Sequence, residues 1–115
     1  MPAVFACKEI NFYEIMRCSF ALTKTEHNLL LFLVKEHTDF SIKELSNKLV
    51  LERSTVQKSI KSLSDKSLII RKQQNLDEGG YRFYYLAIKK AEIKEKMLSS
   101  VQAWHTSVEN MIHKW

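Results

Sequence analysis

The sequence predicts a mainly α-helical fold with one small β-hairpin, and three observations support this prediction. The chain has 115 residues, a length that suits a single domain. Two glycines and one proline are too few for an all-β sandwich, which needs many turns. Most apolar residues recur at helical spacing, and one late segment, rich in aromatic and β-branched residues, contains both glycines.

Two helices are predicted in the first third of the chain. Apolar side chains between Ile10 and Leu22 recur at approximate helical spacing, which predicts the first helix. The second helix begins where Thr23 or Thr25 can cap its N-terminus, and it ends near His37. A run of leucines gives this second helix one buried stripe.

A short third helix is predicted from its capping signal. Ser41 and Glu44 stand three residues apart, as in a capping box, where each side chain accepts the other residue's backbone N–H. Leu45 and Leu49 continue an apolar face for about two turns. The pattern fails around residues 50–52, which predicts a tight turn there.

A fourth helix is predicted from Arg53 or Ser54 to about Lys66. Its apolar residues share one face, which we expect to be buried. A projection at 100° per residue gives an opposite face that is polar and mainly cationic. That outer face comprises Ser54, Lys58, Lys61, Ser62 and Asp65.

Two strands and a long helix complete the predicted fold. Leu68–Gln73 and Tyr81–Ile88 have strand composition, and the loop over residues 75–80 ends in two glycines suited to positive φ. Residues 89–115 contain no helix breaker and carry an a/d heptad seam. Because such a seam needs a partner helix, we expect a second copy of the chain to supply it. The seam comprises Met97, Val101, Trp104, Val108, Met111 and Trp115.

Positive charge is concentrated in the middle of the chain, and the formal net charge is +5. Residues 1–40 carry four basic and five acidic side chains, whereas residues 41–90 carry eleven basic and five acidic ones. Residues 91–115 carry three of each. A surplus confined to one region is typical of a domain that faces a polyanion.

The order of elements predicts a winged helix-turn-helix flanked by N- and C-terminal dimerisation helices. The fourth helix, residues 53–66, is the expected recognition helix, because a helix about 10–12 Å across fits a major groove about 12 Å wide. Residues 71–82 form the expected basic wing on the flanking DNA backbone. The expected DNA-binding residues are Ser41, Lys43, Arg53, Ser54, Thr55, Gln57, Lys58, Lys61, Arg71, Lys72 and Arg82.

Two motifs resemble those of archaeal TrmB-like transcriptional regulators, which belong to the MarR-like superfamily. Residues 53–60, Arg-Ser-Thr-Val-Gln-Lys-Ser-Ile, resemble their recognition helix. Residues 74–81, Gln-Asn-Leu-Asp-Glu-Gly-Gly-Tyr, followed by Tyr84 and Tyr85, resemble the wing of the small single-domain members.

The resemblance covers roughly residues 18–115. Residues 18–22 are similar to the entry into the winged helix of that family, and the segment around Trp104 is similar to its closing helix. The resemblance implies a dimeric DNA-binding regulator in an archaeon. Larger members carry a separate C-terminal sugar-binding domain, and this chain ends where that domain would begin. A small-molecule effector therefore does not carry over from the resemblance, and the effector stays unknown.

Three segments are expected. Residues 1–22 form an N-terminal helix that supports the core and the dimer, residues 23–88 form the DNA-binding domain, and residues 89–115 form the dimerisation helix. The two outer segments are expected to set the spacing of DNA half-sites. The longest apolar stretch is far shorter than a membrane span, and no signal peptide is evident, so we expect a soluble, cytoplasmic protein.

Neither an enzyme nor a cofactor is predicted. The sequence lacks a glycine-flanked nucleophile, a paired-carboxylate motif and a His-Glu-x-x-His cluster. Its four histidines are scattered without the spacing of metal ligands. Cys7 and Cys18 are expected to be small buried hydrophobes, and the alternatives are a redox switch or an intersubunit disulfide.

Three alternatives remain open in the sequence. Arg53 could pair with Glu52 or Glu44 instead of DNA. The aromatic residues of the second strand are expected to pack in the core, although Tyr81 could contact nucleic acid. The whole chain could be a protein-interaction adaptor of a transcription assembly or a non-specific chromatin protein, since winged helices serve in both.

Overall fold

The structure is a computed structural model that describes residues 2–115. In chain order its elements are β1 (Ala3–Phe5), β2 (Lys8–Ile10), α1 (Phe12–Phe20), α2 (Lys24–Glu36), α3 (Ile42–Leu49), α4 (Arg53–Asp65), β3 (Ile69–Asn75), β4 (Tyr81–Ala87) and α5 (Lys90–Lys114). The chain divides into two compact units. We call residues 24–89 the central unit. The chain up to Thr23 and residues 90–115 together form the other unit, which we call the terminal unit.

The central unit is a winged helix-turn-helix, and the predicted fold class is confirmed. Its three helices are followed by β3 and β4, which pair antiparallel along their whole length and, with their loop, form the wing. Phe40 joins this sheet through a two-bond bridge to Tyr85, with N–O distances of 2.9 and 2.8 Å. The core consists of side chains from all three helices and the start of the wing. They are Leu29, Leu30, Leu33, Leu45, Val56, Leu63 and Leu68.

The predicted local signals of the central unit are present. Ser41 Oγ accepts the backbone N–H of Glu44 at 3.2 Å, and Glu44 Oε1 accepts the backbone N–H of Ser41 at 3.1 Å, which completes the capping box. Gly79 and Gly80 have φ of 94° and 79°, values that side chains rarely tolerate. The wing loop is therefore the place where the two glycines are needed.

Helix ends elsewhere are closed without glycine. Ala21, His37, Val50 and Ser67 each adopt a left-handed φ between 52° and 58° just after a helix. Glycine is the usual residue at this position because it has no Cβ to clash with the backbone. Val50 is the least suited of the four, since its branched Cβ makes the left-handed conformation a genuine outlier.

Replacing Val50 with glycine is expected to raise the free energy of unfolding by about 0.5–1 kcal/mol. The Val50 side chain is 88% exposed, so its removal costs little packing, whereas the strain at φ 52° is relieved. Urea unfolding should show a higher midpoint for V50G and a smaller change for V50A, which keeps the Cβ. A lower midpoint for V50G would contradict the strain at this turn.

The terminal unit is held together by α1 packed against α5. Asn11 caps α1, because its side-chain oxygen accepts the backbone N–H of Glu14 at 2.9 Å. The hydroxyl of Ser100 on α5 donates to the backbone carbonyl of Ser19 on α1 at 3.2 Å. The first helix is thus present, although its bounds are shorter than the predicted residues 10–22.

The hairpin formed by β1 and β2 was not predicted. Ile10, assigned from the sequence to the first helix, pairs with Ala3 in this hairpin instead. The helix begins only after Asn11 because the Asn11 side chain caps it there. Strands of three residues are too short to show the alternation from which a strand is predicted.

The prediction of buried cysteines is wrong, since both Cys7 and Cys18 are exposed. Cys7 lies in the turn between β1 and β2, and Cys18 lies on the outer face of α1. Within the described residues, no group of three or more metal-ligating side chains comes together. Among the same residues, no helix is both long enough and apolar enough to cross a membrane.

Candidate nucleic-acid interface

An open concavity of about 750 Å³ lies in the central unit between α4, the N-terminus of α3 and the wing. We call it the α4–wing concavity. Seven of the predicted DNA-binding residues line it, and among the described lining residues none is acidic. The seven are Ser41, Lys43, Arg53, Gln57, Lys61, Arg71 and Arg82.

The orientation of α4 follows from its sequence. Val56, Ile60 and Leu63 are buried against the rest of the central unit, and this fixes which side of the helix faces outward. Gln57 and Lys61 are exposed on the outward side. Burial of the apolar stripe therefore turns a polar surface outward. Of the outer face given by the projection, only Lys61 lines the concavity, because the concavity lies to one side of that face.

The N-terminal end of α4 lies beside the concavity. Glu52 at the N-cap position makes no side-chain hydrogen bond to the N–H groups of the first turn. Arg53 stands at this end and is exposed. Across residues 2–115 no ion pair joins Arg53 to Glu44 or Glu52, so its guanidinium is available to an anion.

The wing side of the concavity is aromatic. The guanidinium of Arg71 lies 4.2 Å from the centre of the Phe83 ring, which is a cation–π contact. The Tyr81 ring lies 5.2 Å from the Phe83 ring in a tilted arrangement. Tyr81 is exposed and Tyr85 is half-buried. Stacking on Phe83 restricts the rotamers of Arg71 and holds its charge toward the concavity.

Four predicted residues lie outside the concavity. Ser54 and Lys58 are exposed on a neighbouring side of α4, and Thr55 is half-buried. Lys72 is exposed on the wing but alternates with Arg71, so it belongs to the opposite face of the hairpin. Exposed cations therefore also occur on a neighbouring side of α4 and on the opposite face of the wing.

Ser41 differs from the other predicted contacts. It is only 4% exposed, and its hydroxyl oxygen accepts the Glu44 N–H. The structure thus gives Ser41 a role in starting α3 beside the concavity. Ser64 also lines the concavity and was missed by the sequence reasoning. It lies seven residues after Gln57, and that helical spacing is the signal that could have found it.

Beyond the concavity, one ion pair ties α4 to α2. The Lys66 ammonium lies 3.6 Å from Glu26 Oε1, and the Glu26 side chain is largely buried. Glu26 stands in the first turn of α2 and Lys66 at the C-cap of α4, so each charge also complements a helix dipole. Lys66 therefore serves the packing of α4.

Comparisons with known proteins agree with this geometry. Residues 16–91 match the model of the family described as sugar-specific transcriptional regulator TrmB. A solved structure described as a possible transcriptional regulator from Methanosarcina mazei Go1 is 34% identical, covers 100% of this chain and 97% of its own, and superposes with a TM-score of 0.91. The protein MJ1503 of Methanocaldococcus jannaschii is 28% identical over 109 residues, which are 95% of this chain and 79% of that one.

More distant structures share the fold. MarR of Staphylococcus aureus, solved with salicylate and kanamycin, is 21% identical, covers 86% of this chain and 65% of its own, and has a TM-score of 0.54. The family match spans well over half of the chain and includes the whole central unit. The chain therefore belongs to the TrmB family, whose members are transcriptional regulators and not enzymes.

Proposed function

We propose that the chain is a cytoplasmic, sequence-specific regulator that binds duplex DNA as a homodimer. In this proposal the central unit binds DNA and the terminal unit joins two copies. The observation that carries it is the α4–wing concavity, which is lined by five cationic residues and by no acidic residue of the described chain. The five are Lys43, Arg53, Lys61, Arg71 and Arg82.

The shape of the central unit suits a DNA duplex. One side of α4 is exposed along the helix, and the major groove of B-DNA is wide enough to admit one helix. With α4 in the groove, the adjoining sugar–phosphate strand would lie in the concavity against Lys61 and Arg71. Neutralising phosphates releases counterions, which supplies most of the affinity and makes it depend on salt.

Base recognition is assigned to the N-terminal half of α4. Gln57 is exposed and can form paired hydrogen bonds with adenine, whereas Arg53 can form them with guanine. Lys58 and Lys61 are assigned to phosphates, because a flexible ammonium acts as a point charge. Arg71, held on Phe83, is assigned to the backbone next to the groove.

A homodimer is proposed from the apolar seam of α5. Met97 is 6% exposed, but Trp104 and Trp115, on the same helix face, are 62% and 106% exposed. The stripe begins inside the protomer and continues on its surface. We propose that a second copy of the chain covers the exposed part of the stripe. The proposed dimerisation residues are the uncovered part of the predicted seam, Val101, Trp104, Val108, Met111 and Trp115, whereas Met97 is buried within the protomer.

The dependence of DNA affinity on salt should separate the proposed roles. K58A and K61A are each expected to weaken binding to every duplex and to lower the slope of log K against log salt by about 0.9. Q57A and R53A are expected to change the preferred sequence, at a cost of about 1–3 kcal/mol on the preferred site. Fluorescence anisotropy on preferred and scrambled duplexes, over a salt series, measures all four.

Lys35 offers a matched control, since it is exposed on α2 outside the concavity. K35A should leave both slope and preference unchanged. Equal losses for Q57A on all duplexes would contradict the recognition role and favour a non-specific chromatin protein. Weak binding without preference, abolished at physiological salt, would favour a protein-interaction adaptor.

A further inference from the structure

The terminal unit carries most of the exposed apolar surface of the described chain. Ten of the fourteen exposed large apolar side chains in residues 2–115 belong to it. They fall into two groups. One lies on α5 and the residue that follows it, and the other lies on β1 and the first turn of α1. The first group is Leu98, Val101, Trp104, Met111, Ile112 and Trp115, and the second is Val4, Phe5, Phe12 and Tyr13.

The group on α5 forms a continuous stripe. At 100° per residue its members, apart from Leu98, lie within roughly 100° of one another on the helix, in line with Ile93 and Met97. Ile93 and Met97 are buried within the protomer, so the uncovered part of the stripe begins at Val101. It extends for about 21 Å to the end of the helix.

The second group includes a hairpin whose described side chains are mostly exposed. β1 and β2 have three residues each, and Val4 and Phe5 are 77% and 65% exposed. A two-stranded hairpin alone is marginally stable in water, and packing an apolar face is the usual remedy. Because the hairpin and the stripe are both uncovered in the same protomer, they do not cover each other within one chain.

The uncovered area matches a dimer interface. Five exposed aromatic side chains, Phe5, Phe12, Tyr13, Trp104 and Trp115, contribute roughly 700 Å² at 150–250 Å² for each complete side chain. This area alone exceeds the 300–600 Å² that is typical of the largest apolar patch on a monomer, and the aliphatic members add to it. A stable interface needs about 800 Å² from each partner, and both groups are required to reach it comfortably.

We infer that the β1–β2 hairpin and the start of α1 pack in trans on the exposed stripe of α5 from a second copy of this chain. The inference rests on the proposed homodimer and names a segment of its interface that lies before the family match at residue 16. A two-fold axis makes the contact twice, so each stripe receives the hairpin of the other copy. Residues 91–115 carry equal numbers of basic and acidic side chains, so no net charge opposes this docking.

The chain provides the reporters for a test. Its two tryptophans both lie on the stripe, and Cys7 lies in the hairpin turn. One protomer would keep both tryptophans and carry C7S and C18S. The other would carry W104F, W115F and C18S, with a nitroxide on Cys7 that quenches tryptophan only near contact. Subunit exchange forms mixed dimers, and sedimentation velocity establishes the dimer in every sample.

With the nitroxide-labelled protomer in large excess, most tryptophan-bearing protomers are in mixed dimers. Tryptophan emission is then expected to fall by more than half, and to recover when the nitroxide is reduced. Unquenched emission in a sample shown to be dimeric would overturn the inference and leave the homodimer standing. A monomer in sedimentation for the unlabelled chain would overturn the homodimer and the inference together.

A substitution in the hairpin gives an independent measurement. F5E is expected to weaken dimerisation by at least about tenfold, whereas F5L, which keeps an apolar side chain, should remain close to the parent chain. Because Phe5 is exposed in the protomer, neither change should alter the helical circular dichroism of the monomer. A dimer dissociation constant for F5E equal to that of F5L would contradict docking of the hairpin.

Discussion

Reversing the charges of Lys61 and Arg71 together is expected to weaken binding to duplex DNA by at least about 100-fold at moderate salt. Both side chains line the α4–wing concavity, one from the helix and one from the wing. The double variant loses two phosphate contacts and places two carboxylates where the backbone would lie, so repulsion adds to the lost attraction. Titration of a labelled duplex by anisotropy or mobility shift measures the loss.

A matched control separates the effect of charge at the concavity from the effect of the chain's net charge. Lys94 and Lys96 are exposed on α5, and reversing both changes the net charge by the same amount as reversing Lys61 and Arg71. The K94E/K96E variant should retain most of its affinity. If the two double variants lost affinity equally, the net charge of the chain would explain the binding and the assignment to the concavity would be wrong. Unchanged thermal melting would show that K61E/R71E still folds.

Replacing Trp104 with glutamate is expected to raise the dimer dissociation constant by at least about 100-fold. Trp104 is 62% exposed in one protomer and lies on the uncovered stripe, about one turn from its start, so the dimer would have to bury the new carboxylate. Binding to a DNA with two half-sites should weaken in parallel, because two linked central units bind with avidity and a single unit does not. Sedimentation velocity and anisotropy measure the two effects.

Thr106 supplies the control for this second prediction. It is exposed on α5 and lies about 160° around the helix from Trp104, away from the stripe. T106E introduces the same charge and should leave the dimer intact. A dimer that survives W104E would show that α5 does not form the interface, whereas dissociation by T106E as well would point to a general effect of charge on α5.

Much of the fold could be predicted because its signals are local. Ser41 and Glu44 form their capping box within one turn, so a spacing of three residues was sufficient to find the start of α3. The stripe of Val56, Ile60 and Leu63 fixed which side of α4 is buried, because helix geometry alone determines which residues share a face. The same projection placed Lys61 on the outer face of α4, but it did not include Gln57 or Ser64, which also line the concavity.

The incorrect predictions fall in segments where the local sequence pattern is weak. The β1–β2 hairpin has strands too short to show alternation, so Ile10 was assigned to a helix. The cysteines were expected in the core from the general behaviour of the residue type, but a hairpin turn and an outer helix face expose them. The exposure of Cys7 and Cys18 could not be deduced before the fold of the neighbouring backbone was known.

The sequence by itself determined the helices, the wing, the cationic side of α4 and the apolar seam of α5, since each depends on spacing within one element. Only the tertiary structure decided that Lys61 and Arg71 line one concavity, that Arg71 stacks on Phe83, and that the seam emerges from the protomer after Met97. The physical reason is that these relations join residues on different elements. The distances between such residues depend on how the whole core packs, and the spacing of residues along the chain does not determine that packing.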